Sequence, residues 1–381
     1  MTWTPSVSVT VAGVFTDVST EAIADVSIIY GRRNPWSQFT ATMCSVTLLR
    51  DSSLATYGID DILPGASLSV TVDNGTSYTR FGGMVTDLVA DRHRLQLIGT
   101  TTEGLSTEWE YAGQTIDGMI GAELFAEYSL IGTGIPKFVS QNIDTGTVEV
   151  QITTTASPWI NQVLQIVASE PSGTLHELVN GNIVFGDANR RRYGLVDLTL
   201  TADEVGLDWS LDVDYAQAFN VVTVTSPNHA DYTDDTRLDQ GSFTVAPKPT
   251  TIDTALKYAS DMVSLADQFA YNRKRPLWNF NTLNIPMHAL STARQDDVLD
   301  YLEVSSAWQV PSVATGAPTL TFLEGYQERI TNSTWIISAY LSDQRLTGQP
   351  QQWQNVDPAI AWQDVDAALT WADLRGTEVY T

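Results

Sequence analysis

Cysteine is almost absent from this sequence, since Cys44 is the only one among 381 residues. A single thiol excludes internal disulfides and a thiolate metal cluster. Histidine is scarce as well, and His93, His176, His229 and His288 do not stand at the spacing of metal ligands. We therefore expect no metal ion and no other cofactor.

Long apolar runs are also missing. No stretch approaches the roughly 20 apolar residues that span a bilayer. The first five residues, MTWTP, lack the basic start and apolar core of a signal peptide. Stable membrane binding is therefore not expected.

Positive charge is in short supply, with 20 basic residues against 45 acidic ones and a net charge of −25. A chain so acidic repels phosphates, which argues against nucleic acid or an anionic membrane as a bound partner. Hydrophobic residues make up 43% of the chain and charged residues 17%, which is typical of a folded protein. The one basic run, residues 190–192, is expected to pair with acidic groups of this chain or of a neighbour.

Recognisable catalytic motifs do not occur. There is no G-x-S-x-G, no H-E-x-x-H, no Walker loop and no G-x-G-x-x-G opening a helix after a strand. Adjacent acids such as Asp60 and Asp61 arise by chance among 45 carboxylates and do not indicate a glycosidase pair. The Asp-rich stretch 231–239 could hold calcium but lacks EF-hand spacing, so a solvated loop is favoured. We predict that the protein is not an enzyme.

The first hundred residues have the sequence pattern of β-strands. Residues 7–11, 44–48 and 68–72 alternate apolar and polar side chains with period two. A turn at 73–75 leads into a partner strand, and two more strands follow at 84–89 and 95–98. Short strands joined by tight turns predict a small β-barrel over residues 1–105.

The next hundred residues, 106–205, change character and predict an α+β insert. Thr115 can cap a helix that reaches Tyr128, and Ser157 followed by Pro158 marks a second helix start. Asn180 and Gly181 form the turn of a hairpin.

The β pattern returns over 206–345, where we predict a second β-barrel that includes a long helix from Thr251 to about Ala270. A hairpin over residues 325–338 echoes the one over 83–98. The predicted fold is mainly β, with two small β-barrels flanking the α+β insert.

The C-terminal residues 346–381 carry Trp353, Trp362 and Trp371 at intervals of nine residues. Nine steps place consecutive tryptophans on opposite sides of a helix or of a strand, so no single apolar face results. We predict an extended arm with three aromatic anchors that dock on a partner. The alternative, in which the arm folds back on its own chain, stays open.

Several of these blocks resemble one family. Residues 26–33 and 39–48 are similar to the start of minor tail proteins of actinobacterial siphophages, and residues 81–88 resemble a barrel strand of that family. The order of elements in the insert and the closing Trp-Asp repeat, residues 369–374, resemble the same proteins. The resemblance covers nearly the whole chain.

This resemblance implies a structural baseplate hub at the distal end of the tail in the virion. Such a hub is a homotrimer with two barrels in each chain, so that six barrels join a sixfold tail tube to a threefold tip device. Its partners would be a distal tail or tube protein above and tip or fibre proteins below. Genomic DNA would pass through it during ejection without being specifically bound.

Three other functions are considered. A distal tail ring protein would be a hexamer with one barrel per chain. A receptor-binding or glycan-binding tail tip would use the eleven Trp and fourteen Tyr residues as stacking platforms. A peptidoglycan-cleaving enzyme fused to a hub is disfavoured because the catalytic motifs are missing.

Overall fold

A computed structural model shows a mainly β chain in which most strands belong to one sheet. The structure describes residues 3–11, 13–18, 23–33, 40–49, 62–91, 93–101, 115–132, 141–153, 159–192, 194–206, 210–213, 219, 221–234, 249–273, 278–311 and 319–344. The first β region contains seven strands: β1 Thr4–Val11, β2 Val14–Asp17, β3 Ile23–Gly31, β4 Met43–Leu49, β5 Ser67–Asp73, β6 Ser77–Ala90 and β7 Arg94–Thr100. The strands predicted at 44–48 and 68–72 are confirmed as β4 and β5.

The described residues of the insert form short strands and two helices. In chain order its elements are β8 Thr115–Met119, α1 Ile120–Gly132, β9 Gln141–Ile143, β10 Glu149–Thr153, α2 Trp159–Ser169, β11 Thr174–Glu177, β12 Ile183–Gly186 and a 3-10 turn at Ala188–Arg190. The hairpin at Asn180 and Gly181 is confirmed. Thr115 as a helix cap is wrong, because residues 115–119 form a strand paired with β10 before the helix begins at Ile120.

The remaining elements follow residue 198. They are β13 Leu198–Thr199, β14 Ser210–Val213, β15 Val221–Ser226, β16 His229–Asp234, β17 Pro249–Asp253, α3 Ala259–Arg273, β18 Trp278–Ile285, a 3-10 turn at Met287–Ala289, α4 Thr292–Asp300, β19 Ala307–Val310, β20 Thr319–Ile330 and β21 Trp335–Asp343. The helix predicted from Thr251 is wrong at its start. Thr250, Thr251 and Ile252 are β-branched and pair in parallel with β15, so the helix begins only at Ala259.

Both β regions contribute to one large sheet. Its strand order is β14-β18-β21-β20-β3-β4-β7-β6-β5-β1-β2, and β19 and β13 extend it from β20. The two regions meet where β20 pairs with β3 and Tyr326 lies opposite Tyr30. Among the described strands, this path stays open from β14 to β2 and does not close into a barrel.

The two hairpins that echo each other in sequence lie on opposite sides of β3–β4, with β20 next to β3 and β7 next to β4. The pair β3–β4 lies in the middle, with β20–β21 on one side and β7–β6 on the other. Both hairpins contain a register shift, at Val85/Asp87 in β6 and at Leu323/Gly325 in β20. The division of the chain at 105, 205 and 345 stays a prediction.

Three apolar clusters form the core in the part of the chain that the structure describes. The largest lies within the main sheet and extends from Val7 to Leu341. A second lies between β8, β10, β11, β12 and the helices of the insert, and a third lies between α3 and β15. Ala255 joins the second cluster and Leu256 the third, so the segment between β17 and α3 packs beside the insert. In the part of the chain that is described, none of the helices is both long and apolar enough to cross a membrane.

Candidate interaction site and buried charge network

A buried carboxylate, Glu324, connects the insert to the main sheet. Arg191, directly after the 3-10 turn of the insert, donates from Nη1 to Oε1 at 2.6 Å and from Nη2 to Oε2 at 3.0 Å. Arg32, one residue beyond β3, donates from Nε to Oε2 at 2.7 Å. The Ser342 hydroxyl of β21 donates to Oε1 at 2.5 Å. One side chain of β20 thus holds three separate segments of the chain.

The charges of this cluster control its ionisation. Burial opposes the charged form of Glu324, but the guanidinium groups of Arg191 and Arg32 outweigh burial and lower the pKa of the carboxyl from 4.5 to about 2. Burial also lowers the pKa of Arg32 from 12.5 to about 10, against the attraction of Glu324. The carboxylate is therefore charged at neutral and at mildly acidic pH.

A second buried ion pair shows that the sheet curls. Arg80 of β6 donates from Nε to both carboxylate oxygens of Glu328 in β20, at 3.1 and 3.0 Å. Trp335 donates from Nε1 to the same carboxylate at 2.7 Å. In sheet order β6 and β20 are four strand spacings apart, about 19 Å on a flat sheet. Direct contact across that separation requires the sheet to wrap around its core.

The pair is completed by two tyrosines. Tyr326 receives a 3.4 Å hydrogen bond from Arg80 Nη2, and the Tyr30 hydroxyl donates to the Arg80 carbonyl. Burial opposes the charge of Arg80, but Glu328 outweighs it and raises the pKa of the guanidinium above its usual value. Burial raises the pKa of the Tyr30 hydroxyl as well, so it stays a neutral donor.

The β11–β12 hairpin also contacts the main sheet through polar groups. His176 is buried, and its Nε2 lies 3.4 Å from Glu303 Oε1. The Thr42 amide donates to Glu177 Oε2 at 3.3 Å, and the Thr101 hydroxyl donates to the same oxygen. Burial lowers the pKa of His176 below 6.5, although Glu303 acts in the opposite direction. The insert is thus attached to the sheet by charged and hydroxyl groups.

A groove of about 450 Å³ lies beside the tip of this hairpin. Its lining includes Phe15 of β2 and Gly82, Gly83 and Met84 of β6. The hairpin tip at Asn180 closes one end, because it lies directly against Gly82: a Cβ added there would be 3.8 Å from Asn180 Cα. Phe15 is 56% exposed. The site can accept an apolar or aromatic group.

The structure tests some of the predictions that the sequence made for individual residues and leaves others outside its described ranges. The arm with Trp353, Trp362 and Trp371 lies outside the described residues. The expectation that residues 190–192 pair with acidic groups is confirmed for two of the three: Arg190 Nε is 2.6 Å from Asp144 Oδ2, and Arg191 pairs with Glu324. Arg192 instead donates from Nη2 to Asn189 Oδ1 at 2.9 Å. The Asp-rich stretch is not wholly a loop, since residues 231–234 belong to β16. Across the described ranges, no three His, Cys, Asp or Glu side chains come together as metal ligands.

Sequence reasoning missed the two buried carboxylates, although β20 contains a signal for them. Period-two alternation places Glu328 on the same face as Tyr326 and Ile330, which are buried. The register shift at Leu323/Gly325 puts Glu324 on the other face together with Phe322, and both of these side chains are buried as well. A carboxylate on an apolar face requires a buried cation. Their partners, Arg80 and Arg191, are 248 and 133 residues away and carry no comparable signal.

Comparison with known proteins bears on the fold. No protein-family model and no curated protein sequence matches the chain. A tail protein from Neisseria meningitidis superposes with a TM-score of 0.63 at 15% identity, over 90% of this chain and 98% of that one. The 43 kDa tail protein of prophage MuSo2 from Shewanella oneidensis superposes with a TM-score of 0.57 at 12% identity, over the same shares.

A third structure extends the comparison. The E. coli c3393 protein is a type VI secretion component described as similar to the T4 bacteriophage tail proteins gp27 and gp5. It superposes with a TM-score of 0.50 at 8% identity, over 87% of this chain and 78% of that one. The mainly β fold predicted from sequence is thus confirmed, and it is similar to the gp27/gp5-like tail-hub folds. An actinobacterial siphophage as the source stays a prediction.

Proposed function

We propose that this protein is a structural, non-enzymatic hub at the distal end of a phage tail. The observation that carries the proposal is the fold shared with phage tail proteins over 90% of the chain and 98% of the Neisseria meningitidis protein. Such coverage means that most of this architecture has a counterpart in a tail protein.

The arrangement of the sheet supports a trimeric hub. The hairpins β6–β7 and β20–β21, whose sequences echo each other, lie on the two sides of β3–β4, and in this proposal each belongs to one of two β units of the chain. Three such chains would present six similar units to a sixfold tail tube while keeping threefold symmetry for the tip device. The partners in this proposal are a second and third copy, a tube or distal tail protein above, and tip or fibre proteins below.

The charge supports a passage for DNA. Three copies at −25 each give about −75 in one ring. Like charge keeps phosphates from adhering to the wall, so the genome would pass during ejection without being held.

Mass photometry of the purified full chain tests the proposal. We expect a species with three times the chain mass of 41.7 kDa. A hexamer would indicate a distal tail ring protein instead. A strict monomer that is also absent from the tail tip of labelled virions would overturn the hub.

A further inference from the structure

We propose that protonation of His176 opens the joint between the insert and the main sheet at mildly acidic pH. The joint consists of residues 174–177 and 190–191 on the insert side and of residues 303–305 and Glu324 on the sheet side. This conformational device lies within one chain, so it goes beyond the proposed hub and does not depend on it.

The contacts that close the joint are polar. Arg191 donates from Nε to Ser305 Oγ at 3.0 Å, and the Ser305 hydroxyl donates to Thr174 Oγ1 at 3.1 Å. Among the described residues from β8 to the 3-10 turn of the insert, Val179 alone packs against the apolar cluster of the main sheet. Parts of a chain that meet through polar contacts move relative to each other more readily than parts joined by a large apolar interface. The joint is therefore the place where we expect the insert and the sheet to separate.

Alternation along β11 directs His176 into the joint. Leu175 belongs to the apolar cluster of the insert, so Thr174 and His176 on the opposite face of the strand point to the segment before β19. His176 is only 3% exposed, and its Nε2 lies 3.4 Å from Glu303 Oε1. Its Nδ1 is buried and has no hydrogen-bond partner among the described residues. The joint thus encloses the imidazole ring.

A second proton on this ring is poorly accommodated in the closed joint. In the neutral ring the proton on Nε2 points to the Glu303 carboxylate, and Nδ1 carries only a lone pair. Protonation turns Nδ1 into a charged donor, and a buried charged donor without an acceptor costs more than a buried lone pair. Opening of the joint lets water accept this hydrogen bond, so the protonated ring favours the open form.

The charges closest to the ring do not compensate for its burial. Glu303 attracts an imidazolium, but its side chain is 39% exposed and the same oxygen lies 3.7 Å from Arg190 Nη1. Burial is the largest influence, and together with Arg190 and Arg191 it holds the pKa of His176 below 6.5 against the attraction of Glu303. The closed joint therefore binds the proton more weakly than a solvated histidine does.

The strand β3 also packs against β11, but its charges are already paired. Asp25 of β3 binds Arg329, and Arg32, one residue beyond β3, binds Glu324. Neither side chain is available as a counter-ion or as a repelling charge for His176.

The direction of the pH dependence follows from the lowered pKa. The joint is tightest above about pH 6.5, where an ordinary histidine is neutral as well. As the pH falls below 6.5, the open form binds a proton that the closed form does not, and the opening equilibrium shifts by at most about tenfold per pH unit. Glu324 acts in a separate range, because its pKa is about 2 against 4.5 for an ordinary glutamate. Burial raises the pKa of Glu170 in the insert, so this residue is kept in every variant below and its effect cancels.

A thiol placed in the joint reports its opening. Thr174→Cys puts one on the same face as His176, at a position that is 1% exposed. Dithiodipyridine labels this reporter in the full-length chain, and the labelling rate is divided by the rate for the same chain in urea at the same pH. We expect this relative rate to rise at least about threefold from about pH 7.5 to about pH 5. The native Cys44, buried in the core of the main sheet, is measured in the chain without the reporter and should show no such rise.

Three substitutions in the reporter chain assign the rise to the histidine. His176→Gln keeps an amide donor close to the place of Nε2 and never takes a charge, so the relative rate should stay level. His93→Gln, at an exposed position, is the matched control and should rise as the unsubstituted reporter does. Glu303→Gln removes the carboxylate that favours the imidazolium, so it should make the rise larger while leaving the histidine in place.

The results separate opening at the joint from other causes. An equal rise in the His176→Gln chain would overturn the proposal, and so would a level rate in the unsubstituted reporter. An equal rise at Cys44 would show unfolding of the main sheet instead of opening at the joint. If the His176→Gln chain does not fold, a rise with Glu303→Gln that is no larger than that of the unsubstituted reporter would overturn the proposal. None of these results depends on whether the protein forms a trimer.

Discussion

Glu324 is the residue on which the joint between the insert and the main sheet depends. It is completely buried, and it accepts hydrogen bonds from Arg191, Arg32 and Ser342. A buried carboxylate with two cationic partners loses its hydration, and only this geometry compensates for the loss. Removal of the carboxylate charge leaves two guanidinium groups without their counter-ion.

We therefore expect Glu324→Gln to lower the free energy of unfolding by about 3–5 kcal/mol. Asp25→Asn is the control, because the Arg329–Asp25 pair is exposed and such pairs contribute less than about 1 kcal/mol. Urea unfolding monitored by circular dichroism measures both variants. Equal effects of the two substitutions would show that Glu324 does not hold the joint.

The stability of the folded chain at acidic pH should depend on the same carboxylate, Glu324. The pKa of Glu324 is about 2 in the folded chain against 4.5 for an ordinary glutamate, so its contribution is fully present above about pH 4.5. It is lost as the pH falls from 4.5 towards 2, because the unfolded chain then binds a proton that the folded chain does not. Denaturant midpoints measured across this range should fall steeply in the wild type. Glu324→Gln should show a shallower fall, and an unchanged slope would contradict the assignment.

At the scale of elements, the antiparallel pairing of β3 with β20 joins the two β regions into one sheet. Gly31 ends β3 with φ of +68° and lies opposite Gly325. A Cβ at Gly31 would lie 2.5 Å from the Glu324 carbonyl oxygen, which is main chain and cannot move away without shifting β20. Glycine is required here both by the left-handed backbone and by the close approach.

We expect Gly31→Ala to destabilise the chain by clearly more than Gly13→Ala. Gly13 also has a positive φ, +82°, but nothing lies within 4 Å of a Cβ there. Its substitution should cost only the backbone strain, about 1–2 kcal/mol. Thermal unfolding of the two variants separates backbone strain from steric overlap. Similar losses of stability in both variants would mean that the β20 backbone shifts at little cost.

At the scale of the whole molecule, the C-terminal residues 346–381 are predicted to serve assembly. Deletion of this segment should leave the secondary structure and the melting temperature of the remaining chain nearly unchanged, since the apolar clusters described above are formed without it. Incorporation of the truncated protein into virions should fall strongly. A truncated chain that fails to fold would assign the segment to the core.

The net charge of −25 leads to a second prediction at this scale. The purified protein should not retard double-stranded DNA on a gel, even at low salt where electrostatic attraction is strongest. A salt-sensitive shift would reveal a concentrated basic surface and contradict a non-adhesive passage.

Local patterns predicted much of the secondary structure because their physical causes are local. Alternation of apolar and polar residues predicted β4 and β5, and the Asn180–Gly181 turn predicted the β11–β12 hairpin. Where a competing partner lay far away, local patterns failed. The segment 249–253 reads as a helix start, yet it pairs with β15, and Thr115 reads as a cap, yet it pairs with Thr153.

The sequence by itself determined the β-rich composition, the acidity, most strand positions and the resemblance to tail proteins. Only the tertiary structure decided that the two β regions share one sheet through β3 and β20, whose partners Tyr30 and Tyr326 are far apart in the chain. It also decided which cations neutralise Glu324 and Glu328, and that Phe15 and Met84 line one groove. The reason is physical: periodicity tells which face of a strand is buried, whereas pairing between distant strands depends on how the whole sheet curls around its core.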